Sequence, residues 1–241
     1  MSSDPWLSGL LACSLADDAE AVRQALHARG LKTRSVPAGR AKGAWTCVTD
    51  RGTLAVVISG RGADAARQAA SFWMPRARWL VLAGAGPGTG LAAEGTVILD
   101  GDHDLTALAS RGAQQAQPPI TTSTGKVAAV PDAVLGPAAR DTLAASGYAA
   151  WDPNVDAWRR AASAMGGVTL VCQGVTTTRP DQEHDLQQDV PDGATGRPWW
   201  RATLRALLRS QRNGARQADR RHHDAVTAAA RCAVAALLGP A

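Results

Sequence analysis

Apolar residues fall in short runs, separated by glycine turns and by longer stretches with helical spacing. Residues 7–13, 54–58, 79–83, 96–99 and 168–175 are apolar runs of strand length and are predicted to be buried strands. Residues 31–36 and 45–49 read as a strand pair, with Asp50-Arg51-Gly52 as the hairpin turn into the run at 54. At 16–29 the period becomes helical. Ala19, Val22, Ala25 and Leu26 share one face, acids occupy the first turn and Gly30 ends the segment. Helices are also predicted at 63–73, 137–146, 153–165 (with Pro153 in its first turn, a favoured place for proline), 198–212 and 218–238. Residues 121–130 are expected to hold a strand and 149–151 a short extended link, while 101–119 and 176–196 read as irregular. Strands alternating with helices predict an α/β protein, a three-layer sandwich with a central mixed β-sheet flanked by helices, formed as a single domain over residues 1–241.

Two strand ends break into glycine. The run at 54–58 gives way to Ser59-Gly60-Arg61-Gly62, and the run at 79–83 opens into Gly84-Ala85-Gly86-Pro87-Gly88. In an open α/β sheet the edge carrying such turns is where ligands sit. Glycine lets a backbone approach a ligand closely, and turn amides at a helix start attract anions.

Composition narrows this picture. One Phe and one Tyr against eight Trp leave Val, Leu and Ala to build most of the core. Cys13, Cys47, Cys172 and Cys232 show no close ligand spacing and read as reduced, structural thiols, which suits a cytoplasmic protein. The N-terminal stretch lacks a basic region before its apolar residues, and no segment approaches ~20 uninterrupted apolar residues. The formal net charge is +5, with arginine crowded into the C-terminal fifth. Arg197, Arg201, Arg205 and Arg209 recur every four residues, and Arg212, Arg216 and Arg220 continue a basic stripe along one helix face. That stripe could meet an anionic membrane surface or an acidic partner; the lack of interleaved aromatics argues against nucleic acid. His222 and His223 point to different faces and make a poor metal pair, and Ser59 and Ser123 lack a His-Asp pattern. No cofactor is expected, with phosphate as a conceivable co-substrate.

Four stretches, taken in order, resemble the nucleoside phosphorylase/nucleosidase superfamily, in particular its methylthioadenosine/S-adenosylhomocysteine nucleosidases and hopanoid-associated phosphorylases. SLADDAEAV at 14–22 is similar to the family's first strand-to-helix turn, which carries an acid. VVISGRGADAARQAA resembles its strand, S-G-x-G turn and helix, and LVLAGAGPGTGLAAEGTVIL its glycine loop and following strand. AAWDPNVDAWRRAASAMGGVTLVCQGVTTTRPD is similar to its D-M-E helix and the strand ending in S-D. The likeness runs over roughly residues 10–238.

The resemblance implies cleavage of the N-glycosidic bond of a purine nucleoside or adenosyl conjugate, by water or phosphate, in a protein that forms homo-oligomers. Asp18 matches the carboxylate that activates water. Gly60 and Arg61 match the turn that helps hold phosphate in the phosphorylase branch. Gly84, Ala85 and Gly86 match the loop beneath sugar and base. Departures bear on catalysis. Pro153-Asn154 replaces Met-Glu, so Asn154 offers the ribose a neutral contact in place of a charged one. Thr176-Thr177 replaces Ser-Asp, and a Thr177 hydroxyl cannot act as a general acid near neutral pH, a loss of ~10²–10⁴-fold in rate. Asp181, Glu183 and His184 follow on a loop, and Asp181 is taken as the replacement acid. The alternative is a catalytically degenerate member that binds a nucleoside-like ligand or a protein partner without turnover.

Overall fold

Every residue of β1 (Gly9–Cys13) is buried, as in a strand covered on both faces. A computed structural model describes residues 7–130, 136–177 and 212–240, with 212–218 described by backbone alone. The main sheet has eight strands in the order β2 (Arg34–Ser35), β3 (Gly43–Thr49), β4 (Gly52–Ile58), β1, β5 (Trp79–Gly86), β10 (Val168–Val175), β6 (Val97–Gly101) and β7 (Thr122–Thr124). The central four, β4, β1, β5 and β10, run parallel. β3 is antiparallel to β2 and β4, and β6 is antiparallel to β10 and parallel to β7, so the sheet is mixed. A smaller parallel pair joins β8 (Lys126–Ala128) to β9 (Tyr148–Trp151).

Alternation in β1 sends Leu11 and Cys13 into one core and Leu10 and Ala12 into the other. The first core is closed by α1 (Ala16–His27), α3 (His103–Gln115) and α6 (Arg212–Leu238), which present mainly alanine and leucine. The second is closed by α2 (Ala63–Trp73), α5 (Val155–Ala164) and the β8–β9 pair, and is filled by Trp73, Trp151 and Trp158. α4 (Pro137–Ala145) packs on β9, with the Arg140 guanidinium 5.3 Å from the Trp151 ring centre. The result is the three-layer sandwich with helices on both faces. All four cysteines are buried and unbridged, and burial pushes the Cys13 and Cys172 thiols up. Among the described residues no helix is long and apolar enough to cross a membrane.

Several expectations are corrected. The stretch expected to be irregular at 101–119 contains α3. Its Asp102 cap accepts the Asp104 and Leu105 N–H groups, and its buried stripe is Leu105, Ala109 and Ala113, an apolar face built mostly of alanine. Pro153 lies ahead of α5, whose first residue is Val155. The expected strand at 121–130 divides into β7 and β8 around Gly125. The last helix begins by Arg212 and runs through Asn213-Gly214. The helix predicted at 198–212 lies, up to residue 211, outside the described residues.

Candidate functional site

Because the central strands are parallel, β1, β4, β5 and β10 all end at one edge, and the segments that follow them converge there. Ser14 and the start of α1 follow β1, Ser59-Gly60-Arg61-Gly62 follows β4, Pro87-Gly88 follows β5, and Thr176-Thr177 follows β10. Asp152-Pro153-Asn154 joins them from the end of β9.

Asn154 ties three of these segments together. Its Nδ2 donates to Ser14 Oγ at 2.7 Å, Gly60 O at 2.8 Å and Ser59 Oγ at 3.3 Å. Since a carbonyl oxygen can only accept, the Gly60 contact fixes which end of the amide is nitrogen. The side chain is 1% exposed, and its Oδ1 has no hydrogen-bond partner. The residue expected to meet a ribose therefore spends its donor on holding the site together, and only its acceptor remains for a ligand. The turn is completed by the Asn154 N–H, which donates to Asp152 Oδ1 at 2.7 Å.

Asp18, at the third position of α1, is 3% exposed. Leu15 N–H donates to its Oδ2 at 3.1 Å, while Oδ1 has no partner. Burial pushes the carboxyl up to about 7. The Leu15 N–H and the Arg61 guanidinium favour its charged form, and the Asp152 and Asp17 carboxylates oppose it. A carboxylate in the first turn is normally held charged by the helix dipole; here burial prevails. Burial also raises Asp152, against the Asn154 N–H and the Arg61 charge. Arg61 is exposed, and its charge favours the ionised form of both the Asp18 and the Asp152 carboxyls. His222, on α6, shares the neighbourhood: burial lowers its pKa, and both Asp17 and Arg61 lie within electrostatic reach.

The second glycine segment differs from the expected turn. Gly84, Ala85 and Gly86 are the last residues of β5, laddered in parallel to Gln173, Gly174 and Val175. Ala85 packs toward the first core. On the other face, a methyl at position 84 would lie 3.5 Å from Gln173 Oε1 and 3.7 Å from Asp18 Oδ2, and one at position 86 would lie 2.7 Å from Gln173 Nε2. The room vacated by the glycines is therefore filled by the Gln173 carboxamide. Gln173 was not among the candidates; the available signal was a carboxamide inside a largely apolar run. Thr177 is buried beside this floor. Its carbonyl accepts the Gly88 N–H at 2.9 Å, and Thr176 N–H donates to Gly86 O at 2.9 Å. Asp18, Gly60, Arg61, Gly84, Gly86, Asn154 and Thr177 are thus brought to one edge. Asp181, like Glu183, His184 and the arginine stripe from Arg197 to Arg209, lies outside the described residues. Arg220 is exposed at the start of the described part of α6. Among the described residues no group of three His, Cys, Asp or Glu side chains could hold a metal ion.

No protein-family profile and no curated protein sequence matches this chain. Solved structures do. A 5′-methylthioadenosine/S-adenosylhomocysteine nucleosidase from Colwellia psychrerythraea, in complex with adenine, superposes with a TM-score of 0.72 at 12% identity over 97% of this chain and 96% of that one. The corresponding nucleosidase from Neisseria meningitidis, in complex with methylthio-immucillin-A, gives 0.69 at 13% identity over 95% and 97%. Futalosine hydrolase of Helicobacter pylori gives 0.67 at 10% identity over 96% and 97%. What these similarities establish is the architecture: this chain carries the nucleoside phosphorylase/nucleosidase fold.

Proposed function

We propose that the protein hydrolyses the N-glycosidic bond of a nucleoside, with Asp18 taking the proton from the attacking water. The observation that carries this reading is a buried carboxyl with a pKa of about 7 and one oxygen without a partner, beside Gly84 at the strand-end edge. A general base works best when its pKa lies near the operating pH. Water is favoured over phosphate because the Arg61 charge is shared with two carboxyls of the site, Asp18 and Asp152, and its unpartnered oxygens, Asp18 Oδ1 and Asn154 Oδ1, accept hydrogen bonds and so suit a donor. The similar structures, two nucleosidases and a hydrolase, support the same choice. Asn154 Oδ1 would accept a ribose hydroxyl, Gly84 and Gly86 with Gln173 would form the floor, and Asp181 is the proposed acid for the leaving base. The substrate class is a purine nucleoside or an adenosyl conjugate. A non-catalytic binder of the same ligand is the second reading, favoured by Thr177 at the end of β10.

The deciding experiment measures base release from adenosine, inosine, methylthioadenosine and adenosylated lipid, with and without phosphate. Release independent of phosphate is expected, lost by ~10²–10⁴-fold in Asp18→Asn. Its kcat/KM should rise with pH through about 7 as Asp18 ionises. Binding without any release would establish the binder instead. Stability gives an independent check. Folded Asp18 holds its proton up to about 7, against an ordinary value of 3.8, so the folded state binds more protons between those values and stability falls as pH rises through them. That penalty, on the order of 4 kcal/mol when complete, is absent in Asp18→Asn. The variant should therefore melt higher than the wild type above pH 7 and lose the slope below it.

A further inference from the structure

Beneath the strand-end edge, between the sheet and α5, lies a cavity of about 10 Å³. Its polar lining is Ser14, Asp152 and Gln173, over an apolar base that includes Trp158 and Val171. The volume is about that needed by one water, and a buried water requires two to four polar partners. Gln173 is 2% exposed and its side chain lines this cavity; a buried amide needs a hydrogen-bond partner. Ser14 Oγ accepts the Asn154 Nδ2–H, which leaves its own proton to donate. Asp152 receives the Asn154 N–H on Oδ1, and a carboxylate has further acceptor sites.

We propose that this cavity holds one buried water, accepting from the Ser14 hydroxyl and donating to Gln173 Oε1, the amide atom beside Gly84, and to the Asp152 carboxylate. Gln173 is thereby a positioning residue for the Asp152-Asn154 turn. Asp152 is faced by Arg61 from the β4–α2 turn, by Asp18 from α1, and by the Asn154 and Val155 N–H groups of its own turn. The water adds a donor to that set and favours the ionised carboxylate. Asp152 Oδ1 accepts the Asn154 N–H, and Asn154 ties the ends of β1 and β4. The effect on rate rests on the hydrolase reading above; the water itself requires no substrate.

The test combines a crystal structure of the full chain, at a resolution that shows ordered water, with a carbon-13 NMR titration of the aspartate carboxyls. In the wild type one water is expected within hydrogen-bond distance of both Asp152 and Gln173. In Gln173→Leu it should be gone, with the Asp152 midpoint raised by about one pH unit. Gln173→Glu, which keeps a polar side chain of the same length, should retain the water. A dry cavity in the wild type overturns the proposal, as does an unchanged Asp152 titration in Gln173→Leu. Should the leucine variant fail to fold, the wild type and Gln173→Glu decide it by water occupancy alone. Base release separates this proposal from the reading it extends. A wild type that holds the water but releases no base refutes the hydrolase and leaves the water site standing. An active wild type with a dry cavity does the reverse.

Discussion

Ser59-Gly60-Arg61-Gly62 and Gly84-Ala85-Gly86 look alike in the sequence, yet their glycines serve different ends. At the end of β4, Gly60 and Gly62 have φ of +90° and +94°, a region that side-chain-bearing residues avoid. Nothing lies within 4 Å of where a methyl at 62 would sit. In β5 the backbone of Gly84 and Gly86 is ordinary strand, and what a methyl would meet is the Gln173 carboxamide. Gly60 and Gly62 supply conformation, and Gly86 supplies space. Gly174, the partner of Ala85 on β10, supplies space on the opposite face, where α6 crosses the sheet. The reason for a glycine should set both the cost of alanine and what can repair it.

The largest effect is expected at Gly174. A methyl there would sit 2.3 Å from the Ala225 carbonyl oxygen and 3.0 Å from Ala225 Cβ. Neither can swing aside, because the first is helix backbone and the second is rooted on it. Gly174→Ala should cost about 3 kcal/mol or more, read as a lower denaturant midpoint with an unchanged slope. A loss below roughly 0.5 kcal/mol, the range of an ordinary surface substitution, would show that α6 does not pack this closely on β10.

Gly86→Ala is the intermediate case. Its methyl would meet the end of a flexible side chain, Gln173 Nε2, at 2.7 Å. A cost of about 1–2 kcal/mol is expected, with most of it recovered in the double variant with Gln173→Ala, so that the two changes couple by at least roughly 0.5 kcal/mol. Gly84→Ala makes only ordinary contacts at 3.5 and 3.7 Å and should be close to neutral. Additive behaviour of positions 86 and 173 would remove the distinction drawn between the two glycine segments.

The frame was legible because burial on two faces leaves a strong signal: 168–175 and 63–73 were read with their observed bounds. Period alone did not find α3, since an Ala109–Ala113 stripe barely differs in hydropathy from its surroundings. Nor could it carry β5 through Gly84–Gly86. Their extended backbone is set by the ladder to β10, a partner distant in sequence. At the site, the residues at strand ends were predictable from position, but their roles were not. Asn154 contributes as a tie because Ser14, Ser59 and Gly60 meet around it, and Gln173 matters because two glycines on the neighbouring strand leave it room. Both facts belong to tertiary packing.

A change of about 1 kcal/mol is expected at Gly62, and it isolates conformation from space. With φ at +94° and ψ at 155° at the cap of α2, alanine pays the strain of a region nearly reserved for glycine, about 1–3 kcal/mol. The unfolded chain loses freedom with the same substitution, which returns about 0.4–1 kcal/mol. A net loss of roughly 1 kcal/mol should follow, with no nearby truncation able to recover it because there is no steric neighbour to remove. Gly60 offers no such clean test, since its carbonyl accepts from Asn154 Nδ2 and any backbone shift there would also disturb the tie. If a second-site truncation did rescue Gly62→Ala, crowding rather than backbone strain would be the reason for that glycine, and the contrast between the two segments would collapse into a single account of space.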